Sequence, residues 1–138
     1  MKKKIVLISC VSKKQSRKAK VRDLYTSTLF KLNLKYAEKL RPDKIYVLSA
    51  KHGLLSLNDE IAPYNQTLNG MTNKKVKTWA NDVLNQLRRV SDIEKTKYIF
   101  LAGVRYRMYL LPELKDYTIP LEGLRIGEQL SKLKELTS

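Results

Sequence analysis

The chain has 138 residues, 43% of them hydrophobic, and carries a formal net charge of +15. That length and apolar content fit one compact domain over residues 1–138 and exclude a disordered tail protein. The charge favours polyanionic partners, nucleic acid first among them, with a lysine-rich composition that merely solubilises as the competing explanation.

Residues 4–11 (KIVLISCV) form an apolar, β-branched run, the pattern of a strand buried on both faces. The preceding Lys run mimics a signal peptide, but the apolar stretch is short and no small-residue cleavage site follows. A polar, basic loop (SKKQSRKAKVRD) comes next. Leu29, Leu32, Tyr36, Ala37 and Leu40 then recur at helical spacing, with Thr26 or Ser27 as the cap and Pro42 as the stop. KIYVLSA (44–50) predicts a second buried strand, and KHGLLSLNDEIAPYNQTLNG a long irregular segment. Residues 73–90 predict an amphipathic helix with Val76, Trp79, Ala80, Val83, Leu84 and Leu87 on one face. KYIFLAG (97–103) reads as a third strand, VRYRMYLLPEL as a short helix broken near Pro112, YTIPLEG (117–123) as a fourth strand, and RIGEQLSKLKEL as a closing helix.

This alternation predicts an α/β domain of three layers, Rossmann-like, whose mostly parallel four-stranded sheet has helices on both faces. In such sheets the ligand crevice lies beyond the carboxyl ends of the strands. Ser9, Cys10, Ser12, Ser49, Lys51, His52, Gly53, Gly103, Pro120 and Gly123 are the residues at those ends.

Cys10 has cationic neighbours that lower a thiol's pKa, as a nucleophile requires; a small buried apolar residue is the alternative role. His52, the one imidazole, can serve as acid or base, or bind phosphate. With one Cys and one His the chain predicts no Cys/His zinc site, no metal and no internal disulfide. Asp23 is placed to cap the first helix or to act as a base. Tyr64 and Asn65, after Pro63, pair a stacking ring with an amide, a combination suited to a nucleobase or equally to locking a loop. No Walker loop, G-x-G-x-x-G or G-x-S-x-G occurs, so ATP hydrolysis, dinucleotide redox chemistry and a serine-hydrolase elbow have no support, and no cofactor is expected. Lys13, Lys14, Arg17, Lys18 and Lys20, extended by Arg105 and Arg107, are candidates to track a phosphate backbone. No apolar stretch approaches a membrane span, and a soluble cytoplasmic protein is expected.

The motifs LISCVSKK, RDLYTSTLF, IYVLSAKHGLL, IAPYNQTL, FLAG and PLEGLRIGEQLSKL occur in this order over nearly the whole chain. Together they resemble a DUF6884-like family of small uncharacterised bacterial and phage proteins, distantly similar to the YaaA-like peroxide-stress family, whose LSALYGLL…PY segment corresponds to residues 48–64. His52 stands where that segment has Tyr. The Cys, Lys, Tyr and Ser near the first helix also resemble the core domain of archaeosine synthases, which transfer an amino group from lysine to a cyano-deazaguanine base in transfer RNA. Ser9 replaces a Pro of that pattern, the spacing from Lys13 or Lys14 to Tyr25 is longer, and no His follows Ser27. The resemblance implies an association with DNA and a cleft set of Cys10, Lys13, Asp23, Tyr25, Ser27, Ser49, Lys51, Gly53, Pro63 and Tyr64.

The expected function is an enzyme directed at nucleic acid or a nucleotide, a nucleobase-modifying transferase or a glycosidase-type hydrolase. Cys10 or Asp23 is its reactive group. Lys13 and Lys51 stabilise negative charge, Tyr64 packs on the base, and Ser49 orients it. The alternatives are a non-catalytic module that binds nucleic acid or a nucleotide, as a phage, defence or stress accessory, and a structural protein basic by lineage alone.

Overall fold

The computed structural model describes residues 2–9 and 14–138. Strand β1 (Lys3–Ser9) leads through 14–18 to β2 (Ala19–Lys20), α1 (Val21–Leu24) and α2 (Thr28–Lys39). There follow β3 (Lys44–Ser49), β4 (Gly53–Ser56), β5 (Glu60–Ile61) and α3 (Asn73–Val90). The chain ends with β6 (Thr96–Leu101), α4 (Val104–Arg107), β7 (Asp116–Thr118) and α5 (Ile126–Thr137).

The main sheet has five strands in the order β4-β3-β1-β6-β7. Strands β3, β1, β6 and β7 run parallel, and β4 is antiparallel to β3 at the edge. The four-stranded expectation is therefore corrected to five, because Gly53–Ser56 turns back on β3 within the segment read as irregular. The fourth predicted strand shrinks to Asp116–Thr118, pairing with β6 through Lys97, Tyr98 and Ile99. Pro120 has no N–H to give a ladder, and Gly123 adopts φ +79°, so both belong to the turn that follows. Within the predicted basic loop, residues 19–20 form a strand and Val21–Leu24 a short helix. Ala19 and Lys20 pair with Ile61 and Glu60, and Gln15 N–H donates to the Leu24 carbonyl at 2.8 Å.

Both sheet faces are covered. Ile5, Leu7, Tyr46, Leu48, Tyr98 and Phe100 point towards α3 and α4. Val6, Ile8, Val47, Ile99 and Leu101 point towards α1, α2 and α5. This is the period-two alternation of a strand buried on both sides. Helix α3 forms where its pattern predicts: Thr72 caps it by accepting from Lys75 N–H at 3.2 Å, and it buries Val76, Trp79, Ala80, Val83, Leu84 and Leu87. Burying that stripe contributes on the order of 10 kcal/mol before entropy is charged against it. Helix α2 is capped by Ser27, which accepts from Phe30 N–H at 3.2 Å. Asp23 is thus not the cap: it lies inside α1, and the serine at the position before Thr28 has the short hydroxyl that capping needs.

Among the described residues no helix is long and apolar enough to cross a membrane.

Candidate functional site at the carboxyl ends of the strands

The chain goes from β1 outward to β3 and then crosses back to β6 on the other side of β1. Where the order reverses, the carboxyl ends of neighbouring strands leave a crevice. The ends of β1 and β6 are tied there by Gly103 N–H, which donates to Ser9 Oγ at 3.1 Å. Cys10, Ser12 and Lys13, the candidates that follow Ser9, lie outside the described residues.

The end of β3 is organised by Ser49, which is fully buried. Its hydroxyl accepts the backbone N–H groups of Lys51 and His52 at 3.3 and 3.1 Å, fixing the turn that reverses the chain into β4. Its carbonyl accepts the Trp79 indole N–H at 2.8 Å, tying the corner to α3. Gly53 closes the turn at φ +73°, where a Cβ would also collide with the Gln86 side chain. Gln86 Oε1 accepts Leu54 N–H at 2.9 Å, so that side chain has little freedom to retreat.

Four of the predicted residues meet beside this corner. The Tyr25 and Tyr64 hydroxyls are hydrogen-bonded at 2.5 Å, and both rings are buried. His52 packs edge-on against Tyr64 with ring centroids 5.6 Å apart. Lys14 bridges to Tyr25 in the backbone and sets its ammonium 4.6 Å from the Tyr64 ring centre and 5.6 Å from that of Tyr25. A cation over an aromatic face is favourable because the ring's quadrupole is negative there. Tyr64 therefore contacts both the Lys14 ammonium and the His52 ring, and the half-buried imidazole is the ring of this group that reaches the surface. Burial lowers the His52 pKa, and the charge of neighbouring Lys51 lowers it further. The imidazole is accordingly neutral near pH 7 and able to accept a proton.

The other candidates are distributed differently. Pro63 and Asn65 are exposed on either side of Tyr64. Asp23 is exposed on α1, with its carbonyl accepting from Gln15 Nε2 at 2.5 Å; it lines a separate hollow with Lys20, Tyr25 and Lys31. Ser27 caps α2, and Arg17, Lys18 and Lys20 are exposed. The guanidinium of Arg105 donates to the carbonyls of Leu68 and Met71, and that of Arg107 to the carbonyl of Ala102 at 2.6 Å. Both arginines thus brace loops around α4, a task that periodicity alone does not reveal.

His52 also borders a groove of about 570 Å³ between the 50–53 corner and α3, walled by Lys51, Lys75, Asp82, Gln86 and Arg89. Sequence reasoning does not single out the α3 residues, because polar positions beside an apolar stripe read as ordinary solvent-facing surface. Their one signal is recurrence every three or four residues along the helix. Among the described residues no three His, Cys, Asp or Glu side chains are grouped to hold a metal ion.

Residues 5–135 match the model of a family of unknown function, DUF6884. The chain belongs to that family. No curated protein and no solved structure matches it. The DUF6884 match runs from β1 into α5, so the strand ends, the tyrosine pair and the groove all fall inside the family's extent.

Proposed function

We propose that this DUF6884 protein recognises a nucleobase or nucleotide within a nucleic acid and modifies or cleaves the base in the cleft at the strand ends. The observation that carries the reading is the position of His52, which packs on Tyr64 of the Lys14–Tyr25–Tyr64 cluster and also borders a groove whose wall carries Lys51, Lys75 and Arg89. In this scheme His52 takes a proton from the attacking group. Lys51 offers charge to a phosphate or a developing anion. Ser49 positions both through their backbone N–H groups. Tyr64 packs against the imidazole and is itself held by the Tyr25 hydroxyl. Cys10 is the proposed reactive group; Asp23, the alternative named from the sequence, lines a separate hollow with Lys20, Tyr25 and Lys31. The net charge of +15 supports a polyanionic substrate, as does the resemblance of residues 48–64 to the YaaA-like family; the likeness to archaeosine synthases favours base chemistry. A cytoplasmic setting is part of the same proposal.

Mass spectrometry of nucleosides and small molecules that co-purify with the protein tests the ligand class, and a bound base or nucleotide is expected. Cys10→Ala and His52→Ala are expected to abolish turnover while binding persists. Absence of any such ligand, together with no affinity for DNA or RNA, overturns the proposal.

A second reading, a non-catalytic binding module, is favoured by one observation: the tyrosine hydroxyls in the cluster are engaged with each other. Under it the wild type shows no turnover on nucleic acid, and both substitutions leave binding intact.

A further inference from the structure

One flank of α3 carries a strip with no part in the proposed chemistry. Lys75, Thr78, Asp82, Asn85 and Arg89 recur at intervals of three or four, which places them on one side of the helix. All five are exposed, and all line the groove opposite Lys51 and His52. Lys75 and Arg89 stand at its two ends, about four turns or ~21 Å apart along the axis. Among the described residues no carboxylate pairs with Lys51, Lys75 or Arg89. Three cations thus face one carboxylate, Asp82, and between them lie a hydroxyl and amides that donate and accept without charge.

The dimensions choose the occupant. Cations ~21 Å apart cannot share the phosphates of one nucleotide; they need a chain whose charges repeat along its length. The groove is a shallow hollow along one helix flank, which an unpaired strand can follow with its bases turned to the wall, whereas a duplex keeps its bases stacked inside. Unpaired bases also expose the edges that Asn85 and Gln86 can read. We infer that a single-stranded segment of nucleic acid lies along α3, with its phosphates on Lys75, Arg89 and Lys51, and presents one nucleotide to His52. The inference rests on the nucleic-acid reading above and names the form and path of the substrate.

Fluorescence anisotropy with labelled single-stranded DNA and RNA oligonucleotides, and with the same sequences as duplexes, tests it across a range of salt. Wild-type protein is expected to prefer single strands by about tenfold or more. K75A/R89A is expected to weaken single-strand binding about tenfold and to flatten the slope of log affinity against log salt by about 1.4, two contacts at roughly 0.7 each. K132A/K134A removes the same charge from exposed positions on α5 and is expected to leave binding unchanged. Wild-type binding that K75A/R89A leaves intact, in affinity and slope, overturns the α3 path while the nucleic-acid reading stands. Equal or tighter binding of duplex overturns the single-stranded occupant. No binding to any of these probes overturns both.

Discussion

The two sides of His52 are built on opposite terms. On one side Tyr25 and Tyr64 are buried, joined by their hydroxyls and covered by Lys14. On the other, the α3 groove is exposed and its cations have no carboxylate partners among the described residues. The difference teaches where each kind of residue acts. Groups satisfied by one another contribute to stability, whereas exposed charges contribute little to stability and are available to a ligand.

That contrast can be broken first at Gly53, which belongs to the corner between the two regions. Gly53→Ala must adopt φ +73° and displace Gln86 from Leu54, and is expected to cost about 2 kcal/mol in urea unfolding. A loss under about 0.5 kcal/mol means that the corner is not held as described.

The closed side is sharpened by a double-mutant cycle. Tyr25→Phe and Tyr64→Phe are each expected to destabilise by about 1 kcal/mol, with a coupling of similar size because they share one hydrogen bond. Additive losses mean that the hydroxyl pair does not form in solution.

A smaller effect is expected from pH. The His52 pKa lies below the ordinary imidazole value, so the unfolded chain binds its proton first as pH falls. The stability linked to His52 is therefore full above the ordinary value, declines as pH drops through it, and levels off once the folded imidazole is itself protonated. NMR titration of the ring carbons is expected to show the depressed value, with Lys51→Ala raising it part of the way back. A titration at or above the ordinary value means that burial and the Lys51 charge do not act on the imidazole as described.

The smallest expected change is in the stability of K75A/R89A, within about 0.5 kcal/mol of wild type, because both residues are exposed. A larger loss places these residues on the structural side of the comparison.

The sequence made some of this legible and hid the rest for identifiable reasons. Helix α3 is read to the residue because a long apolar stripe at 3.6 spacing has few competing interpretations. The three buried parallel strands announce themselves by β-branched and aromatic runs. Strand β4 is hidden because Leu54 and Leu55 are too short a pattern, and its partner β3 is recognised only in space. The Ser49–Gly53 corner is visible as a polar interruption at a strand end. The meeting of His52 with Tyr64 depends on how the 57–63 segment returns, and no local pattern encodes that. The α3 strip is hidden most completely, since Lys75, Asp82 and Arg89 gain meaning only from the wall opposite them.

Trp79 is the chain's one tryptophan, and its indole N–H is held by the carbonyl of Ser49 at the base of the groove. Intrinsic fluorescence is consequently a label-free optical sensor lodged in that wall. Emission that shifts when an oligonucleotide is added reports arrival at the corner itself, without a dye and without altering a residue.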